Sequence, residues 1–580
     1  MFIEPVFGKK FFGREEVLGT LQKRVTALRG GYRQNLALTG PMLAGKSSIL
    51  RHFLKNIKDP GVIPLYIEMD RGDFRMFCMR FMATLLYGFL KSTGRTPPAP
   101  LRRLRKERRA PGREPVPGTG KGAGIGSGGA KDRSDFEALK KACRGTIPET
   151  VRCIDRVCRD LGRKKENAAY GRLLDLTATF KTETGKACIV ILDEFHNLSN
   201  FHLKRPFQTF GKFIMVQKNT MYIVSSSQKT LLKEILSRKL SLLFGNFEVI
   251  EIDGFDSQTA RSFISDKIEN IDSSCEDIKN YLIQVTEGNP FYLEVLANRF
   301  SELVRRKDSR YGVKECLLDA FSQLLYESEG VLNQYFINRV NFFLERRARK
   351  KFISILVSLA RGNSTIRAIQ NDMGRVDKDL SRKLEKLQEM DLVYNSGGFY
   401  KISEKLFEYW LKYVYSLKTY SMIDDMDIKY LEFKHSMDED YKSYCEFSAK
   451  SAVTVICDLF KSFRNEKIRV NMNFRKMPRF DAVESRALSK NVFQITGRIK
   501  NKQWICHVKQ GDIADECDIS NLWNIKTGDE RSKIARKIFI PLKGVEQNSF
   551  LLAKEQNIWV WDAQQLNKIL RLFQKFELVP

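Results

Sequence analysis

The stretch Asn35–Ser48, NLALTGPMLAGKSS, decides the fold of the first part of the chain. Its apolar run predicts a buried strand, and Gly40, four residues and Gly45-Lys46-Ser47 then match G-x-x-x-x-G-K-[ST] at every fixed position. Glycines at these places let successive N–H groups turn inward as an anion nest, and the following helix adds its positive N-terminal end. The pattern predicts a phosphate-binding loop, with an ordinary glycine-rich turn as the alternative.

Two residues of this loop, Lys46 and Ser47, have side chains that phosphate binding would use. Lys46 would reach the β- and γ-phosphates of ATP, and the Ser47 hydroxyl would bind Mg²⁺. The residues expected to cradle the nucleotide are Gly40, Pro41, Met42, Leu43, Ala44, Gly45, Lys46, Ser47 and Ser48. The expected cofactors are therefore ATP and Mg²⁺.

A second nucleotide signature follows in Ala187–Leu198, ACIVILDEFHNL, where an apolar strand ends in two acids. Asp193 is expected to hold the metal, usually through water, and Glu194 to polarise the attacking water as general base. The alternative is a strand that simply ends in acidic turn residues. His196 is expected to be structural or exposed.

A further short buried strand, Met221–Val224, is followed by three serines. We expect Ser226 or Ser227, at the tip of this strand, to sense the γ-phosphate. Gly61–Met69 and Phe247–Ile252 also have the composition of strands. Strands that alternate with helices predict an α/β fold with a parallel sheet and helices on both faces.

Length and composition limit the class of protein. A chain of 580 residues with 43% hydrophobic content predicts three or four domains with packed cores. No apolar run is long enough to span a membrane and no secretory signal is visible, so we expect a cytoplasmic protein without a membrane partner. The 11 cysteines contain no C-x-x-C pair, and the 5 histidines show no zinc-ligand spacing.

The formal net charge of +30 favours a polyanionic partner, with a merely solvated basic surface as the alternative. Nucleic acid is the leading candidate, although charge alone does not separate DNA from RNA or an anionic membrane. Residues 94–134 are rich in proline, glycine and arginine, which predicts a disordered basic insertion. Its LRRLRKERR core could hold phosphates or remain solvated.

Together these motifs resemble the AAA+-related STAND P-loop ATPases, and within them the archaeal-type ATPase family, over residues 10–300. The matching stretches are FFGREEVL, GPMLAGKSS, ILDEFHNL, IVSSS and, at residues 286–296, TEGNPFYLEVL. In that family the GNP element opens a helix near the adenine. The resemblance therefore implies an ATPase in which Gly288 and Pro290 help to bind the nucleotide.

One departure from this family concerns the residues after the sensor strand. The family often carries Leu-Tyr-Gly-Arg there, whereas this chain has LFGN ending at Asn246, with Arg238 a few residues earlier. An arginine that stabilises the γ-phosphate in the transition state can be worth orders of magnitude in rate. We therefore expect slow hydrolysis, and a switch is at least as plausible as a motor.

A winged helix is predicted after the ATPase, as the resemblance also implies. Its helices are expected at Phe352–Leu359, Ser364–Asp372 and Val376–Met390, followed by a hairpin whose turn is Asn395–Gly398. The third helix is expected to project Lys378, Arg382, Lys383 and Lys386 towards a duplex groove. The alternative is a winged helix used only for protein packing.

The last part of the chain resembles the restriction-endonuclease-like domain attached to many archaeal-type ATPases. A helix is expected at Tyr444–Phe463, a hairpin at Val492–Ile499 and Gln503–Lys509, and strands at Lys537–Pro541 and Ile558–Trp561.

An active nuclease of that kind needs an acid on the first hairpin strand and Glu-x-Lys on the second. Here the second strand ends in His507-Val508-Lys509, and Gln494 or Thr496 replaces the first acid. Asp481 and Glu484, which lie upstream, are the alternative as metal ligands displaced from the usual position. We therefore expect an inactive nuclease fold kept for binding or assembly.

These expectations give a domain plan and a function. The plan is an ATPase core at 1–255, a helical subdomain with the GNP motif at 256–340, a winged helix at 341–420 and the nuclease-like domain at 421–580. The expected function is an ATPase switch coupled to double-stranded DNA or a protein partner, and ATP-dependent oligomerisation is a further expectation. The alternatives are an ATP-regulated nuclease for defence and a nucleotide-dependent scaffold without DNA binding.

Overall fold

The computed structural model describes residues 4–57, 59–69, 73–95, 128–240, 246–268, 276–306, 312–343, 349–374, 377–422, 425–470, 473–525 and 533–578. The chain divides into two compact units, Met1–Asp253 and Gly254–Pro580, which are described separately. Most of the predicted basic insertion, residues 96–127, lies outside the described residues.

The first unit contains a five-stranded sheet with the order β2-β3-β4-β1-β5 and parallel pairing throughout. Its strands are β1 (Asn35–Thr39), β2 (Val62–Glu68), β3 (Ala187–Asp193), β4 (Thr220–Ser226) and β5 (Phe247–Glu251). Strands β1, β3 and β4 are buried along their whole length because helices cover both faces. The predicted parallel α/β sheet is confirmed.

In the part of this unit that the structure describes, eight α-helices pack around the sheet. They are α1 (Glu15–Arg29), α2 (Lys46–Asn56), α3 (Phe74–Ser92), α4 (Gly128–Arg144), α5 (Pro148–Gly162), α6 (Glu166–Thr184), α7 (Pro206–Val216) and α8 (Lys229–Glu234). In one apolar core α1 and α2 pack against the sheet. In a second apolar core the helices from α3 through α8 pack against it.

Two boundaries differ from the prediction in the first unit. Helix α4 begins at Gly128, within the stretch 94–134 for which disorder is predicted, and the insertion as a whole stays a prediction. Strand β4 runs to Ser226, so two of the three serines belong to the strand instead of following it.

The second unit begins with helices and a small hairpin. Its helices before the hairpin are α9 (Ser257–Lys267), α10 (Glu276–Thr286), α11 (Pro290–Arg306), α12 (Val313–Phe321), α13 (Val331–Phe343), α14 (Arg349–Ala360), α15 (Ile366–Asp372) and α16 (Leu380–Glu389). The hairpin pairs β6 (Val393–Ser396) with β7 (Phe399–Ile402). Its two-residue turn consists of Gly397 and Gly398, both with positive φ, which glycine adopts without strain.

The rest of the second unit is an α/β region with a ribbon and a five-stranded mixed sheet. The ribbon pairs β8 (Glu466–Val470) with β9 (Asn473–Met477). The sheet has the order β10 (Ala482–Ala487), β11 (Val492–Ile499), β12 (Lys502–Lys509), β13 (Lys533–Pro541) and β14 (Trp559–Val560). The helices are α17 (Lys405–Tyr409), α18 (Ser416–Tyr420), α19 (Met426–Ser448), α20 (Ala452–Ser462), α21 (Glu516–Trp523), α22 (Gln547–Glu555) and α23 (Ala563–Leu572).

This region confirms the predicted β11–β12 hairpin and corrects a predicted helix. The single helix expected over 444–463 is two helices, because the Ser451 hydroxyl accepts a hydrogen bond from the Thr454 N–H (3.1 Å) and caps α20. Strands β8, β9 and β10 were not predicted. Among the described residues, no helix combines the length and the apolar character needed to cross a membrane.

Candidate functional site: a nucleotide and magnesium centre

The phosphate-binding loop lies between β1 and α2, as the sequence predicts. Gly45 precedes α2 with φ of 95°, in the left-handed region that glycine adopts readily. A Cβ at Gly40 would lie 2.0 Å from the carbonyl oxygen of Ile252 in the same unit, so only glycine fits there. Ser48 accepts a hydrogen bond from the Val6 N–H (3.0 Å), which anchors the N-terminal segment to the helix that follows the loop.

Lys46 is buried against the loop that it was predicted to serve. Its ammonium donates to the carbonyl oxygens of Gly40 (2.8 Å) and Pro41 (2.7 Å). The cation therefore lies beside the turn whose N–H groups would cradle phosphates. This position fits a charge that neutralises the β- and γ-phosphates.

The carboxylate of Asp193 joins the two nucleotide motifs. Its Oδ2 accepts from the Ser47 hydroxyl (2.7 Å) and the Tyr66 phenol (2.5 Å). Its Oδ1 accepts from the Ser225 hydroxyl and the Glu194 N–H (3.1 Å). A carboxylate beside a hydroxyl is the oxygen-donor set that Mg²⁺ prefers, so Ser47 and Asp193 fit the predicted metal.

Glu194 lies one residue beyond β3 and is held by hydrogen bonds. Its backbone is in the left-handed region (φ 54°) and starts the short 3₁₀ helix Phe195–Asn200. Its Oε2 accepts from the N–H (3.0 Å) and the hydroxyl (2.9 Å) of Ser227. Burial, assisted by the Asp193 charge, raises the pKa of the Glu194 carboxyl above its ordinary value, while Lys46 and Ser227 oppose the rise.

The remaining serine and the histidine form a second contact beside Glu194. The Ser226 hydroxyl lies 2.9 Å from Nδ1 of His196, which is itself 3.3 Å from Oε2 of Glu194. His196 was expected to be either structural or exposed. It is buried, so the exposed alternative was wrong and the structural one remains. Ser226 and Ser227 both lie near the predicted base, and their role as sensors stays a prediction.

Three contacts of this site were not predicted. Tyr66 reaches Asp193 from β2, and Ser225 reaches it from β4. The guanidinium of Arg14 donates to the carbonyls of Ala44 (3.2 Å) and Asp253 (2.5 Å), which ties the FFGREE stretch to the loop. The pairing of β2, β3 and β4 was the missing information, because neighbouring strands place these side chains at one edge of the sheet.

The GNP element opens a helix, as the resemblance implies. Helix α11 begins at Pro290, and the Asn289 side chain accepts from the Phe291 N–H (3.1 Å). Gly288 has φ of 68°. Contact of Gly288 and Pro290 with nucleotide stays a prediction, as does the effect of Asn246, and residues 243–245 lie outside the described residues.

The C-terminal sheet has polar, uncharged residues at the positions where the predicted nuclease-like domain would need acids. Gln494 and His507 are directly opposite on β11 and β12, and Gln494 accepts from Arg486 (3.2 Å). Burial and the Arg486 cation lower the pKa of His507 to about 4. The Lys509 ammonium is engaged by Asp518 (2.5 Å) on α21.

The two displaced acids are also engaged. Asp481 accepts from the Lys500 N–H (2.9 Å), and Glu484 accepts from the Arg498 guanidinium (3.1 Å). Over the described ranges, no three His, Cys, Asp or Glu side chains are grouped to hold a metal.

The basic face expected on the third helix of the predicted winged helix is only partly present. This helix begins at Leu380, later than the predicted start at 376, so Lys378 lies before it. Lys378 and Arg382 are exposed, and Arg382 contacts Asp379 (3.2 Å). Lys383 forms an ion pair with Asp377 instead of projecting outward, so its expected projection was wrong. Lys386 lies over the Phe352 ring, 5.9 Å from its centroid.

The loop, the predicted metal ligands and the acid that follows them indicate the class of protein, a P-loop ATPase. Residues 11–296, about half of the chain, match the model of the family described as an ATPase domain predominantly from Archaea. No curated protein matches the sequence.

Three solved structures are similar to parts of the chain. The Walker-type ATPase of Pyrococcus abyssi is 16% identical with a TM-score of 0.42, over 70% of this chain and 97% of that one. The ORC2 protein of Aeropyrum pernix, in ADPNP–ADP complexes, is 11% identical with a TM-score of 0.39, over 75% and 98%. The RuvB Holliday junction branch migration motor of Thermotoga maritima is 12% identical with a TM-score of 0.31, over 70% and 98%. All three TM-scores are below 0.5, so the assignment rests on the family match and the site.

Proposed function

We propose that this chain is a slow, Mg²⁺-dependent ATPase that acts as a switch, in which the nucleotide state of the first unit controls binding by the second. The observation that carries the proposal is the 2.7 Å contact between Ser47 and Asp193, residues far apart in sequence. It brings the phosphate loop and the acidic strand end to one point, where Ser47 and Asp193 would hold Mg²⁺, which would neutralise negative charge on the phosphates.

The hydrogen bonds that hold Glu194 favour a switch rather than a constantly active enzyme. A general base must be free to orient water, yet Ser227 supplies two hydrogen bonds to one oxygen of this carboxylate. A γ-phosphate that competes for the Ser227 hydroxyl would remove one of these two hydrogen bonds and loosen the hold on Glu194. Ser227 would then sense the phosphate through the base, and the asparagine at 246 accounts for slow turnover.

The output proposed for the second unit is binding of DNA or of a protein partner. Helices α14 to α16 and the β6–β7 hairpin follow one another in the order of a winged helix, and the net charge of +30 suits a polyanion. The STAND-type switch, cytoplasmic location and ATP-dependent oligomerisation belong to the same proposal. A protein scaffold that never contacts DNA is the second candidate, favoured by the loss of Lys383 from the exposed face.

A nuclease function has less support. The hairpin of the C-terminal sheet offers an amide and a neutral imidazole in place of acids, and the lysine is already paired. Mg²⁺ needs hard, charged oxygen ligands to bind well. The sheet is therefore proposed as an inactive nuclease-like fold.

Limited proteolysis with ADP and with a non-hydrolysable ATP analogue tests the switch. The wild type should show different digestion patterns with the two nucleotides, and Lys46→Ala should show the same pattern with both. Identical wild-type patterns would overturn the switch.

A further inference from the structure

Residues 461–479 form a strongly basic segment that the sequence motifs did not single out. They carry seven lysines and arginines against a single glutamate. Within this segment β8 and β9 pair as a two-stranded antiparallel ribbon. Its position at the start of the C-terminal α/β region makes it separate from the predicted nuclease hairpin.

The two faces of the ribbon differ sharply. On one face Ile468 and Met477 are fully buried in the core of the C-terminal region, and Arg475 lies over the Trp559 ring, 4.7 Å from its centroid. The other face, here called the ribbon face, consists of Lys467, Arg469, Phe474 and Lys476, all exposed. The fold thus fixes the ribbon by its back and leaves a cationic face with one aromatic ring outside.

The ribbon face is poorly suited to a purely structural role. Lys467 is directly opposite Lys476, and like charges at such positions destabilise strand pairing. Over the described ranges, neither lysine lies within ion-pair distance of a carboxylate. Phe474 is opposite Arg469, and 67% of its surface is exposed.

The ribbon also covers the tip of the β6–β7 hairpin. The Ser396 hydroxyl accepts from the Arg469 N–H (3.1 Å), and a Cβ at Gly397 would lie 2.1 Å from the Lys467 carbonyl oxygen. The hairpin tip, which a winged helix offers to a DNA groove, is therefore packed against β8. The ribbon face is the exposed cationic surface beside it.

We propose that the ribbon face binds single-stranded nucleic acid. Side chains on one face of a strand recur about every 7 Å, so Lys467 and Arg469 follow one another along β8 and Lys476 lies opposite Lys467 on β9. This spacing of cations suits a phosphate backbone. An unpaired base can stack on an exposed ring, whereas an acidic peptide has no comparable use for it. A duplex keeps its bases stacked inside. The inference deepens the proposed function by naming the surface and the form of nucleic acid, and rests on it for the link to ATP.

Fluorescence anisotropy of the full chain tests the proposal with three probes, namely oligothymidine of about 20 nucleotides, a duplex of the same length and oligoglutamate. The ribbon variants are Phe474→Ala and the double variant Lys467→Gln/Lys476→Gln. The matched controls are Phe550→Ala and Lys554→Gln/Lys568→Gln, which change exposed residues of α22 and α23.

Oligothymidine should bind more tightly than the other two probes. Phe474→Ala should weaken its binding about fivefold or more, and the double lysine variant should reduce the slope of log K against log salt by about 1.4. The controls should bind as the wild type does.

Absence of oligothymidine binding at low salt, equal losses in ribbon variants and controls, or tighter binding of the duplex or of oligoglutamate would overturn the proposal. ATP hydrolysis in the same samples separates it from the proposed function. Ribbon variants should hydrolyse ATP normally, and a wild type that binds oligothymidine without hydrolysing ATP would contradict only the ATPase switch.

Discussion

The two five-stranded sheets that the structure describes both end in polar side chains, but only one of them gathers acids. At the end of β3, Asp193 accepts hydrogen bonds from side chains of α2, β2 and β4, namely those of Ser47, Tyr66 and Ser225. Glu194 accepts from Ser227. At the end of β12, His507 faces Gln494 and Lys509 is paired with Asp518. The comparison teaches that the inventory of carboxylates, more than the arrangement of strands, decides whether such an edge can hold Mg²⁺.

The largest effect is expected where the acids are present. Glu194→Gln should lower kcat for ATP about 10²- to 10⁴-fold, because the amide cannot accept a proton from water, while ATP binding is kept. Steady-state hydrolysis and a binding titration measure the two quantities. Glu16→Gln, an exposed acid of α1, is the control. A variant with near-normal kcat would remove Glu194 from the role of base.

A smaller effect is expected where the acids are missing. Lys509→Ala should lower the free energy of unfolding by about 2 kcal/mol, because Asp518 loses its charged partner, and should leave DNA cleavage absent as in the wild type. Urea denaturation and a Mg²⁺-dependent cleavage assay measure these, with the exposed Lys490→Ala as control. If the wild type cleaved DNA and Lys509→Ala did not, the result would favour the ATP-regulated defence nuclease. It would also contradict the conclusion that the end of β12 cannot hold Mg²⁺.

Tyr66 sharpens the first half of the comparison. Tyr66→Phe removes one of four donors to Asp193 and should weaken Mg²⁺ binding up to about tenfold, because the remaining three still hold the carboxylate. The Mg²⁺ dependence of hydrolysis measures it, with Tyr87→Phe in α3 as control. Unchanged dependence would show that the phenol does not position the metal ligand.

The smallest expected effect is a change in pH dependence. Glu194 must be ionised to act as a base, so a raised pKa makes activity fall at a higher pH than an ordinary glutamate would give. Ser227→Ala removes the hydroxyl hydrogen bond to Glu194, one of the two from Ser227 that lower this pKa, and keeps the one from the backbone N–H. The acid limb of kcat should therefore move to still higher pH. Ser226→Ala, which removes no hydrogen bond to Glu194, should leave the limb in place. An acid limb that moves only in Ser226→Ala would show that Ser226, and not Ser227, controls the pKa of Glu194.

The nucleotide site was predictable because its chemistry is local in sequence. The residues of the loop lie within a few positions of one another, and so do those of the acidic strand end, so a short motif identifies each. The apolar runs predict the parallel sheet. Tyr66 and Ser225 could not be predicted, because their contact with Asp193 depends on the pairing of β2, β3 and β4.

The C-terminal half was less predictable for a different physical reason. Strand β8 alternates between charged and apolar residues over only 467–470, and β10 is exposed along most of its length. Neither strand therefore gives a period-2 pattern long enough to predict it. The break between α19 and α20 follows from one capping serine, which an apolar pattern does not reveal.

Steady-state ATP hydrolysis with and without DNA, for the wild type and Lys46→Ala, tests the central claim most directly. The account predicts slow hydrolysis by the wild type that DNA stimulates and that Lys46→Ala abolishes. Tight ATP binding without hydrolysis under either condition would contradict the ATPase switch and favour a nucleotide-dependent scaffold.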